Sequence, residues 1–226
     1  MLDTTAPTTR RELSKAERRQ RIVEAATTLL RESGFDGVSM LQIADRAGVS
    51  PATVYNLFQT KAAVLQQVFD SDLSEYERLV EAARARDALD RIFKAIDVAA
   101  ALYRGDPGFY RAMAQLHRGS APRPAIAEPR IGFWQRMVAA AQADGRLLLS
   151  ADPQLLGVTL SQTIRGAFSE WAGGVISAER LAEETAYGFA LALLAYAAPD
   201  ASDDLTARLR KLEAALTARD RHEKAG

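Results

Sequence analysis

The stretch Gly34 to Lys61, GFDGVSMLQIADRAGVSPATVYNLFQTK, constrains the fold more than any other part of the chain, because it encodes two short helices joined by a glycine turn. Met40, Ile43, Ala44 and Ala47 recur at i, i+3, i+4 and i+7, which makes one buried stripe on a helix that Ser39 caps. Gly48 ends that helix. Ser50 then caps a second helix with Pro51 at its first position, where a missing N–H costs nothing, and Val54 and Phe58 turn inward. The first stripe leaves Leu41 and Gln42 outside; the second leaves Ala52, Thr53, Tyr55 and Asn56 outside.

A short helix whose outer face carries small, hydroxyl and amide side chains suits the floor of a DNA major groove. There Thr and Asn pair with base edges and Ala touches a thymine methyl. Tyr55 and Lys61 suit phosphates. The same helix pair also occurs in proteins that never touch DNA, and Lys61 reads equally well as a solvated lysine. Tyr55 is expected to face outward, since Val54 and Phe58 already fill the inner face.

Over Gln20 to Phe69 the chain resembles the TetR family of bacterial transcriptional repressors. The resemblance is carried by Ile22-Val23-Glu24-Ala25-Ala26 with Leu29 and Leu30, then Gly34-Phe35, Ser39, Ile43-Ala44, Ala47-Gly48-Val49-Ser50, Thr53-Val54-Tyr55, Phe58, Lys61 and Leu65. It implies that Ser39 and the amides beside it, Tyr55 and Lys61 anchor phosphates, while Pro51, Ala52, Thr53 and Asn56 meet bases. Ser50 and Gln42 complete the DNA-facing set. Leu41 departs from the pattern, standing where many members carry a polar or basic side chain that reaches DNA.

At 226 residues and 48% hydrophobic, the chain holds a sizeable core and two domains are expected, 1–62 for the helix-turn-helix and 63–226 for the remainder. The formal net charge is zero, which argues against a protein that coats nucleic acid, but local charge matters more. Residues 10–62 carry nine Lys or Arg against six acids, a net of +3. Much of the excess lies at the entry to the first helix. Arg10, Arg11, Arg18 and Arg19 either run into a minor groove or belong to a solvated arm, and 1–12 is read as that arm.

The absence of cysteine excludes disulfides, thiolate nucleophiles and thiolate metal sites. With His117 and His222 as the only histidines, no HExxH, no phosphate-cradling glycine loop and Asp203-Asp204 as the nearest approach to an acidic cluster, neither an enzyme, a metal nor a cofactor is expected. Residues 1–9 are polar and lack the apolar core of a signal peptide, and the longest apolar run, 186–198, is too short to span a bilayer. A cytoplasmic protein without membrane contact is the expectation.

Beyond Lys61 helical periodicity is nearly continuous and strand signals are absent, so the whole chain is read as all-α. Helices are expected over 61–84, 87–103, from Pro107, over 131–143, 152–172 and 178–197, with 118–129 and its three prolines as a loop. Leu205, Leu209, Leu212 and Leu216 mark a further amphipathic helix over 202–219 that packs back on the chain or on a mate. Phe93, Tyr103, Phe109, Tyr110 and Met113, with Phe133, Trp134 and Met137, gather aromatic and sulfur groups on the middle helices, and His117 is a possible polar contact. That composition fits an apolar core as well as a small-molecule cavity; the resemblance implies an apolar or aromatic effector among these helices. Leu156, Leu160, Ile164, Phe168 and Trp171 form one apolar face, and Ala190, Leu193 and Leu194 another. They complete a monomer core or, as the resemblance implies, a four-helix bundle with a two-fold mate.

The resemblance therefore implies a homodimeric repressor of a palindromic operator, released by a small, largely apolar effector. The competing expectation is a non-catalytic binding module that keeps the fold without ligand-controlled or sequence-specific DNA reading.

Overall fold

The computed structural model describes residues 10–118 and 123–223, with their side chains except at 11, 116–118, 123–128 and 222–223. The described residues form α1 (Arg10–Ser33), α2 (Met40–Ala47), α3 (Pro51–Phe58), α4 (Lys61–Ala82), α5 (Ala88–Gly105), α6 (Pro107–Arg118), α7 (Arg123–Ala143), α8 (Pro153–Ala172), α9 (Ala178–Leu194) and α10 (Pro199–Glu223). Among them there is no strand, only an isolated antiparallel bridge between Leu147 and Ala197. The all-α reading therefore holds. The chain divides within α4 into two compact units, Met1–Ser71 and Asp72–Gly226, later in that helix than the 62/63 cut read from sequence.

In the first unit, Ile22, Ala26 and Leu30 of α1, Ile43 and Ala44 of α2, and Val54 and Phe58 of α3 are buried together with Val64, Leu65, Val68 and Phe69 of α4. The two stripes read from the sequence are thus the buried ones. Gly48 closes α2 at φ 63° and ψ 41°, a left-handed geometry that glycine adopts without a Cβ penalty, and its N–H bonds back to the carbonyls of Ala44 and Asp45. Arg46 grips Glu32 with two hydrogen bonds of 3.0 and 2.6 Å, tying α2 to the end of α1; that bond holds the Glu32 carboxyl below its ordinary range. Arg10 to Glu12 belong to α1, so the arm read over 1–12 contains helix from Arg10 onward, and 1–9 lie outside the described residues.

The second unit is a helical layer structure in which α7 packs on α8, α8 on α9, α9 on α10, and α5 on both α7 and α9. Its core runs from Leu89, Ile92 and Ile96 through Phe133, Trp134 and Val138 to Leu160, Phe189 and Leu193. Asp87, Asp152 and Ser177 cap α5, α8 and α9 by accepting from backbone N–H groups that the helix itself leaves free. α10 lies on α9 through buried Leu205 and Leu209, reinforced by the ion pairs Arg219–Glu183 and Arg180–Asp220, so the leucine repeat packs back on its own chain. Among the described residues no helix is long and apolar enough to cross a membrane, and no three acidic or histidine side chains stand where they could hold a metal.

One reading needs correction. The expected loop 118–129 is helical from Arg123: Pro124 falls in the first turn, where it is tolerated, and Pro129 lies inside α7. The helix survives because Phe133, Trp134 and Val138 further along it are almost completely buried. The apolar faces assigned to a dimer interface are mostly buried in this single chain, with Leu156, Leu160, Phe168, Trp171, Ala190 and Leu193 all at 7% exposure or less. Ile164 and Leu194 are half-buried. The strongest stripe on an amphipathic helix goes to the nearest core, and any surface left for a mate lies on its flank, where Leu155 and Leu191 are 68% and 48% exposed.

Candidate nucleic-acid interface

Each helix of the α2–α3 pair begins with a serine whose side chain fixes the first turn. Ser39 Oγ accepts from the Gln42 N–H at 3.3 Å and donates to Gln42 Oε1 at 2.7 Å, so both side chains are held at the head of α2. Ser50 Oγ accepts from the Thr53 N–H at 3.2 Å and lies 2.9 Å from Thr53 Oγ1, which orients the Thr53 hydroxyl. With Val54 and Phe58 buried, Pro51, Ala52, Tyr55 and Asn56 are left exposed along α3 and Thr53 half-buried. Leu41 is 63% exposed and Tyr55 48%. The outward set expected from periodicity is therefore exposed on α2 and α3, apart from half-buried Thr53.

The basic residues divide by what they touch. Lys61 donates from Nζ to the Phe35 carbonyl at 3.0 Å and sits 4.4 Å from the Phe35 ring centroid. Partial burial pushes its ammonium below the ordinary lysine range, an effect that the nearby Asp36 carboxylate opposes. Arg19, read as an arm residue, instead donates to the Leu57 carbonyl at 2.7 Å and lies 4.2 Å from the Phe58 ring centroid, bracing the last turn of α3. Lys15 and Arg18 of α1 line a cleft of about 420 Å³ with Thr53, Asn56 and Leu57. Sequence reasoning missed Lys15. Its signal was the i, i+3 spacing with Arg18, which puts both cations on one face once α1 extends this far.

The arrangement places phosphate-seeking cations beside polar, base-sized side chains on a short, capped helix. A family model described as "Bacterial regulatory proteins, tetR family" matches residues 22–68, the segment that forms these helices. This segment is similar to the TetR family.

Among TetR-type relatives, the chain is 46% identical over 54 residues to the regulator YdeS of Bacillus subtilis (strain 168), covering 24% of this chain and 27% of that protein. It is 24% identical over 132 residues to the HTH-type transcriptional repressor KstR of Rhodococcus jostii (strain RHA1), covering 58% of this chain and 62% of that protein. The chain thus spans less than two thirds of either relative's length. Thermus thermophilus FadR, a TetR-family repressor solved with lauroyl-CoA, superposes with a TM-score of 0.66 at 23% identity, over 80% of this chain and 97% of that one. Streptomyces fradiae TylP, a TetR regulator, does so with a TM-score of 0.63 at 24% identity, over 92% and 94%. RolR, solved with resorcinol, reaches a TM-score of 0.65 at 17% identity, over 88% and 96%. At these identities the likeness shows the fold.

The middle-helix side chains singled out from the sequence fall into separate environments. Tyr103 contacts Tyr110, Phe168 and Trp171 with ring centroids 4.8 to 5.1 Å apart, and Phe109 packs on Tyr110. Tyr110 donates its hydroxyl to Asp72 Oδ1 at 2.8 Å; burial, then the Asp72 charge, pushes its phenol far above the ordinary range. Phe133 and Trp134 belong to a second cluster with Tyr76 and Phe189. Phe93 stands apart under the Arg208 guanidinium at 4.0 Å. Met113 is buried, Met137 is half-buried, and the side chain of His117 lies outside the described residues.

Proposed function

We propose that the protein is a DNA-binding transcriptional regulator that represses by occupying a palindromic operator as a homodimer and is released by a small, largely apolar effector. The observation that carries this reading is the exposed row Pro51, Ala52, Tyr55 and Asn56 on a serine-capped α3, flanked by the Lys15 and Arg18 cleft. Thr53 and Asn56 meet base edges, Pro51 and Ala52 approach the groove floor, and Leu41 reaches a thymine methyl. Tyr55, Lys15, Arg18 and the free N–H groups at the head of α2 hold phosphates, while Lys61 orders the turn before α2 through Phe35. Two recognition helices about one helical turn apart (~34 Å) then read the two half-sites.

The effector part of the reading draws support from the fold-mates solved with lauroyl-CoA and resorcinol and from the aromatic wealth of α5 to α8. Effector binding displaces α4, which changes the spacing of the recognition helices. A tenfold release needs only ~1.4 kcal/mol of differential affinity. The test is selection of random duplex DNA by the purified protein followed by sequencing. An enriched palindrome is expected, and a folded protein that enriches nothing overturns the reading. On the selected operator, Lys15→Ala or Arg18→Ala each reduces the salt slope by about one. Tyr55→Ala weakens binding across sequences.

A further inference from the structure

A cleft of about 280 Å³ opens where the start of α5, the turn between α7 and α8 and the first half of α10 meet. Four cations and three carboxylates line it. The acids are not equally free. Arg146 occupies two of them: it donates from Nη2 to Asp204 at 2.6 Å, and its Nε lies 3.1 Å from Asp87. Asp87 also accepts from the Asp90 N–H as the cap of α5. The third acid, Asp90, has a side chain only 10% exposed and is shared by two guanidinium groups at long range, Arg208 at 3.4 Å and Arg86 at 3.7 Å. A well-made charge-assisted bond is about 2.7–2.9 Å. Lys211, one turn beyond Arg208, makes no ion pair among the described residues. The rim therefore holds Arg86, Arg208 and Lys211 around one carboxylate, a surplus of two positive charges.

The geometry points to a phosphate monoester as the ligand of this cleft, its dianionic head held by Arg86, Arg208 and Lys211. Such a group carries about −1.5 to −2 charges at neutral pH, which matches the surplus, and turns three acceptor oxygens toward the donors around it. Arg208 is the best prepared of the three. Its guanidinium lies 4.0 Å from the Phe93 ring centroid and donates from Nη2 to Asp90, so its plane is fixed before a ligand arrives. Its Nε and Nη1 have no partner in the protein and are open to solvent, so donors are left for a ligand. Arg86, with a side chain 66% exposed, and exposed Lys211 close on the phosphate from the two sides of the rim. A carboxylate leaves one positive charge and one oxygen position unmet, and a cation meets three like charges. The cleft is roomier than a single phosphate group needs, which leaves space for a compact organic body. The site stands independently of the DNA and effector readings above.

Isothermal titration of the full-length protein with phenyl phosphate, inorganic phosphate and benzoate tests the site, at a constant ionic strength of about 0.15 M that screens exposed surface charge. Phenyl phosphate is expected to bind once per chain, at least tenfold more tightly than benzoate. Lys211→Met, at an exposed position whose loss breaks no ion pair, lowers phenyl phosphate affinity at least fivefold while the helical circular dichroism is unchanged. Ala207→Trp fills the cleft from an exposed position on its wall and abolishes binding. Arg210→Met removes the same charge from exposed surface outside the cleft and leaves the affinity within twofold. Inorganic phosphate that binds as tightly as phenyl phosphate, and is weakened in the same way by Lys211→Met, overturns the ester and upholds a site for the free ion. No saturable binding, equal affinity for benzoate, undiminished binding in Lys211→Met or Ala207→Trp, or an equal loss in Arg210→Met overturns the proposal.

Discussion

Gln59 ends α3 at φ 63° and ψ −43°, the positive-φ residue other than glycine among those described. Its N–H bonds to the Tyr55 carbonyl at 2.8 Å, so the strained turn sits one step past the helix that carries the exposed row Pro51, Ala52, Tyr55 and Asn56. Holding such a conformation costs a side-chain-bearing residue about 1–3 kcal/mol, against which glycine loses roughly 0.5–1 kcal/mol more chain entropy on folding. Gln59→Gly is therefore expected to stabilise the protein by about 1 kcal/mol in chemical denaturation; a lower midpoint would show that the turn is not strained. At the same scale, burial raises the phenols of Tyr76, Tyr103 and Tyr110 above their ordinary value. Above about pH 10 the unfolded chain releases these protons and the folded chain keeps them, so stability, full below that pH, falls as pH rises by up to ~1.4 kcal/mol per unit for each group. Tyr110→Phe removes one such contribution, and its unfolding free energy declines less steeply between about pH 10 and 12 than that of the parent.

At the level of elements, α2 and α3 were legible because caps, glycine turn and apolar spacing all agree. Ser39, Gly48 and Ser50 stand where the chain turns, and Met40, Ile43, Val54 and Phe58 where it is buried. α7 was not legible over its first two turns, since proline is read as a breaker wherever local signals alone are weighed. What overrides it is the burial of Phe133, Trp134 and Val138 downstream, a tertiary effect with no local signature. The same limit explains the candidate sites. Outward positions on a short helix follow from periodicity, whereas the partners of Arg19 and Lys61, or the cleft that Lys15 and Asn56 both line, depend on how helices cross. Pro129 supplies a test. Inside a helix it lacks the N–H that would bond to the carbonyl of Ala125, at a cost of up to ~3 kcal/mol relative to alanine. Pro129→Ala should raise the unfolding free energy by ~1–3 kcal/mol. In a loop the same change would lower it slightly, because it frees the unfolded chain.

For the whole molecule, the question is which surface of α8 and α9 is free to meet a second copy. The inner faces are committed: Leu160 and Leu193 are fully buried, and α9 approaches α8 so closely at Gly188 that a Cβ there would lie 2.7 Å from Thr163 Cγ2. A four-helix bundle between two chains must then be built from the outer flank, where Leu155 and Leu191 expose apolar surface that a lone chain has no reason to keep dry. The two surfaces respond differently to substitution. Leu160→Ala opens a cavity in the chain's own core and lowers unfolding stability by ~2–5 kcal/mol wherever the mate sits. Leu191→Glu places a charge on the outer flank at little cost to a single chain, but in a dimer it buries that charge against its own copy near the two-fold axis. Sedimentation velocity should show the parent as a dimer and Leu191→Glu as a monomer with unchanged helical content, and its operator affinity should fall with the loss of the second half-site contact. If Leu191→Glu stays dimeric, the mate packs elsewhere and the outer flank of α9 is ordinary surface.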